Sequence, residues 1–213
     1  MAKIPTMRKA TTSSHEQTAG RGFQHHKRAR RKGRSFFPPG GNDRIYTPDA
    51  LARDIVKYIQ PDGKILEPAA GGGAFLRALP PSCHWCEIDK GVDFFKCRRH
   101  YDWIITNPPY SVFTEFLKKS LQTATNIVFL CPVPAWFQRA RERAIRDAGY
   151  GILEICYIPT PPAPWPPFGF SLGAVWLRRG WQGSITFSRL PSKLWRADGS
   201  GKMVDYGERE DSL

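Results

Sequence analysis

The size and composition of the chain exclude several classes of protein. It has 213 residues, of which 41% are hydrophobic and 24% charged, and its formal net charge is +13. These values suit one folded domain with a hydrophobic core and exclude a wholly disordered chain. No apolar run approaches the roughly 18 residues of a membrane helix, and no apolar stretch of signal-peptide type follows Met1. We therefore expect a cytoplasmic protein without membrane contact.

Positive charge is concentrated in residues 1–44, which carry 11 Lys or Arg and only two acids. The segment is polar, without apolar periodicity, and is predicted to be a flexible arm. Such an arm indicates an anionic partner, most commonly nucleic acid, although a solubilising or targeting role is the alternative. The candidate nucleic-acid contacts in the arm are Lys27, Arg28, Arg30, Arg31, Lys32 and Arg34.

Residues 45–190 are predicted to form one domain in which helices and strands alternate, followed by a polar tail over 191–213. The first helix begins at Thr47, the predicted N-cap, with Pro48 in its first turn. The alternation predicts an α/β fold with a mostly parallel sheet, and the last long strands predict an antiparallel edge hairpin. The predicted helices are 47–59, 74–79, 112–123 and 135–148, and the strands are 64–68, 84–88, 101–106, 126–130, 151–158, 172–177 and 185–187.

The turn Asn107-Pro108-Pro109-Tyr110 follows the strand 101–106. Two prolines fix φ and remove two N–H donors, so the turn is stiff and rich in acceptors. The Asn107 side-chain oxygen and the Pro108 carbonyl can hold the protons of a planar amine while Tyr110 offers a ring beside it. This arrangement favours the pyramidal, nucleophilic state of the nitrogen. A purely structural turn is the alternative reading of these four residues.

A glycine loop, residues 67–73, follows the strand 64–68 and opens a helix. It lacks the Gly-Lys-Ser/Thr of a phosphate-binding loop, and Leu76 stands where the dinucleotide pattern requires glycine. Glu87, at the end of the next strand, is placed to bind ribose hydroxyls. The predicted ligand is therefore nucleoside-like, and S-adenosylmethionine fits that description.

This ordered set of motifs resembles the N6-adenine DNA methyltransferases over residues 44–178. The resemblance implies a Rossmann-like methyltransferase domain, which is trimmed at one edge because only six residues separate Glu87 from Asp93. It implies that Asn107, Pro108, Pro109 and Tyr110 are catalytic and that Phe168 stacks on a flipped-out base. The implied cofactor-binding residues are Tyr46, Thr47, Pro48, Glu67, Pro68, Ala69, Gly71, Gly73, Glu87, Ile88, Asp93, Phe94 and Asn107.

The implied reaction is methyl transfer from S-adenosylmethionine to N6 of an adenine flipped out of double-stranded DNA, with no metal. The absence of a long insert after the catalytic turn predicts short or relaxed sequence specificity. Arg139 and Arg141 are further candidate DNA contacts. A small methyltransferase of this kind suggests a role in a phage or mobile element.

Several alternatives remain open at this level. The catalytic turn also serves enzymes that methylate adenine in RNA or glutamine amides in proteins, and a degenerate methyltransferase fold could only bind nucleic acid. Cys83, Cys86, Cys97 and His100 have a spacing similar to a zinc ribbon. The sequence predicts neither a target site, nor an oligomeric state, nor a restriction-enzyme partner.

Overall fold

The computed structural model describes residues 45–158 and 171–191. The predicted arm, residues 159–170, which include Phe168, and the tail beyond residue 191 lie outside these residues. Within them, no helix has the length and apolarity needed to cross a bilayer. The helices are α1 (Asp49–Ile59), α2 (Ala74–Ala78), α3 (Phe113–Thr123) and α4 (Arg139–Asp147), and the strands are β1 (Ile65–Glu67), β2 (His84–Trp85), β3 (Tyr101–Thr106), β4 (Ala124–Pro132), β5 (Tyr150–Ile158), β6 (Leu172–Arg179) and β7 (Thr186–Arg189).

The seven strands form one mixed sheet in the order β2-β1-β3-β4-β6-β5-β7. The first four strands of this order pair in parallel, whereas β6 runs antiparallel to both β4 and β5. The predicted α/β class and the antiparallel hairpin are therefore confirmed. The hairpin does not form the edge of the sheet, because β7 pairs in parallel with β5 and covers it.

Helices cover both faces of the sheet, so the strands are buried on two sides. One core cluster joins α1 and α2 to the sheet through residues such as Leu51, Ile55 and Phe75. The other joins α3 and α4 through residues such as Phe116 and Ile145. The almost continuous apolar run of β4 follows from this two-sided burial.

The start of α1 differs from its prediction in one residue. Pro48 is the N-cap, with extended backbone, and no side chain caps the helix. The hydroxyl of Thr47 is instead used elsewhere, where it accepts a hydrogen bond from the side chain of Asn107 at 3.2 Å. The apolar spacing of Leu51, Ile55 and Ile59 still sets the helix, because these residues form its buried face.

The strand predicted over 84–88 ends early, which leaves this edge of the sheet trimmed. The chain turns back at Gly91, whose φ is +77°, so that Glu87 and Val92 form an isolated antiparallel bridge. The 3₁₀ turn Ile88–Lys90 lies between the two bridged residues, and a second 3₁₀ turn, Phe94–Lys96, follows them. No α-helix separates Glu87 from Asp93, as their short separation predicts.

The helix predicted over 135–148 is divided in two. The 3₁₀ turn Val133–Phe137 ends at Gln138, whose backbone is extended, and α4 begins at the next residue. The carbonyl of Ala135 accepts a hydrogen bond from the guanidinium of Arg141 at 2.6 Å, in place of a helical backbone bond. A side chain thus satisfies the polar group that the break leaves open.

Candidate active site

A cleft of about 650 Å³ opens at the carboxyl ends of β1, β2 and β3. These are neighbouring parallel strands, so the segments that follow them meet at one edge of the sheet, where α/β proteins bind ligands. Four acids and two cations contribute to the lining. The charged lining residues are Glu67, Glu87, Asp89, Asp93, Arg77 and Lys90.

The glycine loop brings its backbone directly to the cleft. Gly71 and Gly73 have φ values of +47° and +79°, a conformation that other residues adopt only with strain. A Cβ added at Gly72 would lie 3.3 Å from the ring of Tyr46, which closes over the loop. The loop therefore needs glycine both for its conformation and for this close approach.

Glu87 joins the glycine loop to the segment after β2. One carboxylate oxygen accepts a hydrogen bond from the amide of Gly71 at 2.5 Å, and the other accepts from the amide of Asp89 at 3.2 Å. The side chain is half-buried and lines the cleft, while Ile88 is exposed at its rim. The structure thus places both residues where the sequence predicts cofactor contacts.

Asp93 and Phe94 also line the cleft. The carboxylate of Asp93 accepts a hydrogen bond from the amide of Phe95 at 2.9 Å and caps the second 3₁₀ turn. Phe94 is buried against Phe116, with ring centroids 4.8 Å apart. A local 3₁₀ turn thus brings Asp93 to the cleft, with no α-helix between it and Glu87.

Glu67 lies at the floor of the cleft, almost completely inaccessible to solvent. Its carboxylate accepts a hydrogen bond from the amide of Ala69 at 3.0 Å. Burial raises the pKa of the Glu67 carboxyl to about 8, against the opposing effects of the Thr106 hydroxyl and the Ala69 amide. The group is therefore predominantly protonated at neutral pH in this structure.

The raised pKa of Glu67 predicts a pH-dependent contribution to stability. Because the folded state holds the proton more tightly than the unfolded chain, this contribution is present below the ordinary pKa of 4.5 and is lost as the pH rises through about 8. Between these values the free energy of unfolding should fall by about 1 kcal/mol per pH unit. Urea unfolding at several pH values measures the difference between the wild type and Glu67→Gln, which keeps an acceptor for Ala69. Identical pH slopes would contradict the assignment.

The side chain of Asn107 is fixed by three partners. Its Nδ2 donates to the carbonyl of Ile45 at 3.0 Å and to the hydroxyl of Thr47 at 3.2 Å, and its Oδ1 accepts from the hydroxyl of Tyr110 at 2.9 Å. Both amide protons are thus engaged, which fixes the orientation of the amide. Asn107 also lines the cleft, so this fixed amide belongs to its wall.

Tyr110 is buried, whereas the sequence predicted an open ring beside the reacting amine. Only 5% of its surface is exposed, and the carbonyl oxygen of Leu130, 3.4 Å from the hydroxyl oxygen, is a second acceptor for the same proton that bonds Asn107. Pro109 lines the cleft, but Pro108 and Tyr110 do not. The ring is turned inward in this structure because its hydroxyl finds partners there and its apolar face packs in the core.

The remaining predicted cofactor residues are also close to the cleft. Tyr46, Thr47, Pro68, Ala69 and Gly71 line it, whereas Pro48 and Gly73 do not. Several further lining residues were not predicted: Ala70 and Gly72 belong to the glycine loop itself, and most of the others belong to no motif. The lining residues that were not predicted are Ile45, Ala70, Gly72, Ala74, Phe75, Arg77, Asp89, Lys90, Phe95, Ser111, Val112 and Phe116. Ser111 and Val112 are the first two residues after the turn 107–110, and this position was the available signal for both.

The two arginines predicted to contact nucleic acid have different environments. Arg139 is exposed at the start of α4. Arg141 is buried, its Nε donates to Thr114 at 3.1 Å, and its guanidinium carbon lies 4.4 Å from the ring centroid of Phe113. The prediction for Arg141 is therefore wrong, because this side chain is used inside the domain. The arm residues Lys27, Arg28, Arg30, Arg31, Lys32 and Arg34, like Phe168, lie outside the described residues.

The burial of Arg141 predicts a structural defect when the guanidinium is removed. Arg141→Met retains an apolar stem but leaves the carbonyl of Ala135 without its donor, so the free energy of unfolding should fall by about 1–3 kcal/mol. Arg139→Met, at an exposed position of the same helix, should change it by less than about 0.5 kcal/mol. Urea denaturation of both variants checks the contrast, and equal effects would refute the structural role.

Residues 45–158 and 171–191 contain no cluster of ligands of the kind that a zinc ribbon needs. Nowhere in these ranges do three or more His, Cys, Asp or Glu side chains come together as a metal site. All five cysteines are free thiols. Burial raises the pKa values of the Cys83 and Cys86 thiols to about 11.

Comparisons of the sequence with protein-family models and with curated proteins give no match. The structure, however, is similar to solved methyltransferases. A Listeria monocytogenes protein named as a class I S-adenosylmethionine-dependent methyltransferase has a TM-score of 0.51 and 14% identity, over 70% of this chain and 67% of that one. A type I restriction-modification methyltransferase subunit from Streptococcus thermophilus has a TM-score of 0.53 and 11% identity, over 73% and 49% of the two chains.

The M protein of the type I restriction enzyme EcoKI is also similar, with a TM-score of 0.52 and 12% identity over 77% of this chain and 52% of that protein. The chain thus spans about half the length of these two restriction-modification subunits. At identities this low, the similarity shows the fold alone. The chain has the α/β fold of the class I S-adenosylmethionine-dependent methyltransferases.

Proposed function

We propose that this chain transfers a methyl group from S-adenosylmethionine to the exocyclic N6 of adenine in DNA. The observation that carries the proposal is the fixed amide of Asn107, a residue that lines a nucleoside-sized cleft. The fold shared with S-adenosylmethionine-dependent methyltransferases supports the reaction class. The similarity to restriction-modification subunits and the 11 Lys or Arg of residues 1–44 support DNA as the substrate.

The residues of the cleft fit S-adenosylmethionine. The glycine loop leaves room for close backbone contact, and the carboxylate of Glu87 is placed for ribose hydroxyls. Asp93 adds a carboxylate that suits the amine of the adenine, and the positive charge of a bound methionine end would favour the charged form of Glu67. Ile88 and Phe95, exposed at the rim, suit the two faces of a planar base.

When bound, S-adenosylmethionine supplies an electrophilic methyl group on a sulfonium sulfur. Asn107 acts on the other reactant by accepting a hydrogen bond from its amino group, which favours a pyramidal nitrogen with an available lone pair. Because Thr47, the Ile45 carbonyl and Tyr110 hold this amide in place, its dipole needs no reorganisation during the reaction. Positioning of this kind supplies a large part of the acceleration in group-transfer enzymes.

The experiment that tests the proposal measures transfer of radiolabel from S-adenosylmethionine to unmethylated duplex DNA, total RNA and a glutamine-containing peptide. We expect label in the DNA, and we expect Glu87→Ala to weaken cofactor binding by about tenfold or more, because charge-assisted hydrogen bonds are lost. Calorimetry measures that affinity. Label only in RNA or only in the peptide would contradict DNA as the substrate. The absence of S-adenosylmethionine binding would contradict the proposed methyltransferase activity altogether.

A further inference from the structure

We propose that Phe137 is a wedge residue, meaning an apolar side chain that enters duplex DNA and fills the gap left by the displaced target base. This inference rests on the proposed function, because it concerns how the same site obtains its substrate. It assigns a DNA-contact role to the turn between β4 and α4, in a chain whose described part contains no separate domain for reading DNA.

Six exposed large apolar side chains of the described residues do not line the cleft, and among them Phe137 lies on the turn directly after β4, the strand next to β3. Tyr46, Ile88, Phe95 and Val112 are also exposed, but they line the cleft and are accounted for by the proposed cofactor and substrate. Phe137 is 62% exposed and does not line the cleft. An exposed phenyl ring at the edge of a binding site can contact a partner directly.

The turn that carries Phe137 is anchored on both sides. Trp136, the preceding residue, is fully buried, and its indole donates to the sulfur of Cys131 at 2.9 Å. Arg141, after the turn, is a buried arginine that bonds to Ala135 and Thr114. A buried arginine needs hydrogen-bond partners. Because Arg141 finds them on α3 and in the turn itself, its side chain ties the turn to the domain. Phe137 therefore projects from a fixed support.

The turn lies at the same edge of the sheet as the catalytic turn. β3 and β4 pair in parallel with Thr106 opposite Phe129, so both turns follow the carboxyl ends of adjacent strands. Phe113, which comes three residues after Tyr110, packs on the ring of Trp136 at 5.4 Å between centroids. The support of Phe137 is thus built against the helix that begins at the catalytic turn.

A wedge at this edge has a clear physical purpose. An adenine in a duplex reaches the catalytic amide only after it leaves the stack, which costs unpairing and unstacking energy. Apolar side chains such as phenylalanine enter base steps in other DNA-binding proteins and stabilise the opened duplex. Arg139, exposed two residues further on, can contact the neighbouring phosphate. The wedge should matter for paired substrates and not for single strands.

The experiment compares the wild type with Phe137→Ala, Phe137→Trp and Phe187→Ala. Phe187 is the matched control because it is 71% exposed but lies on β7, at the far end of the sheet. Methyl transfer is measured on one oligonucleotide as a perfect duplex, as a duplex with its adenines mismatched, and as a single strand. In parallel, the fluorescence of a duplex carrying 2-aminopurine in place of adenine reports unstacking upon protein binding.

For Phe137→Ala, we expect transfer to the perfect duplex to fall about 10- to 100-fold, while transfer to the single strand stays within about twofold. The mismatched duplex should restore part of the loss, Phe137→Trp should retain duplex activity, and Phe187→Ala should behave as the wild type. The 2-aminopurine signal should fall only in Phe137→Ala. Equal losses on duplex and single strand, or no loss on the duplex, would overturn the wedge.

The two proposals fail in different ways. If the wild type methylates none of the three DNA substrates, the proposed function is contradicted. The 2-aminopurine fluorescence, which needs no methyl transfer, then decides the wedge by itself: a signal that depends on Phe137 supports it, and a signal that does not depend on Phe137 refutes it.

Discussion

Replacement of Asn107 by alanine is expected to reduce the rate of methyl transfer by about 10²–10³-fold, the effect of removing one preorganised polar group from an active site. Asn107 lines the cleft, and the orientation of its side chain is fixed by Ile45, Thr47 and Tyr110. Alanine removes the acceptor that would hold the substrate amine. The measurement is the single-turnover rate with saturating cofactor and DNA.

A suitable control for this variant is Asn126→Ala. Asn126 also makes two side-chain hydrogen bonds, to the carbonyl of Asp102 and from the indole of Trp176, both at 3.2 Å. It lies near the start of β4, at the amino ends of the parallel strands, whereas the catalytic turn follows the carboxyl end of β3. We expect its rate to remain within about twofold of the wild type, because it is far from the reacting groups. A rate above one tenth of the wild type in Asn107→Ala would contradict the catalytic role.

Trp136→Ala should lower the free energy of unfolding by about 3–5 kcal/mol, a large share of the stability of a domain. The indole is fully buried and packs on the rings of Phe113 and Phe129, with centroids 5.4 and 5.8 Å away. Its removal leaves a cavity between α3, β4 and the turn before α4. Urea denaturation followed by circular dichroism measures the change without relying on tryptophan fluorescence.

The matched control is Trp85→Ala, because Trp85 is exposed on the short edge strand β2. We expect it to change the free energy of unfolding by less than about 1 kcal/mol. Similar losses in both variants would show that Trp136 does not carry the packing attributed to it. A stable Trp136→Ala protein would also weaken the account of Phe137, whose support includes this indole.

The elements that local patterns determine were predicted well. Strand β3 has the predicted bounds. Its short run of apolar residues, Trp103, Ile104 and Ile105, is followed by turn residues, and this pattern is a purely local signal. Helix α1 likewise follows from its apolar spacing. The glycine loop and the catalytic turn come together because they follow adjacent parallel strands, which the alternation of elements already indicates.

The features that sequence reasoning missed depend on contacts between distant residues. An arginine in a charged helix such as α4 is typically solvated, so the sequence gives no sign that Arg141 is buried. Its burial depends on stacking on Phe113, 28 positions away. The inward position of Tyr110 depends on the carbonyl of Leu130 in the next strand. The hydroxyl of Thr47 caps no helix because Asn107, 60 positions further along the chain, uses it. No local propensity contains such information.

The most direct test of the account identifies the methylated atom. Duplex DNA is incubated with the purified protein and labelled S-adenosylmethionine, with Asn107→Ala beside it, and the product is digested to nucleosides. The account predicts that the label is found in N6-methyldeoxyadenosine and is lost in the variant. Label in a methylated cytosine, or label in N6-methyldeoxyadenosine that persists undiminished in Asn107→Ala, would contradict it.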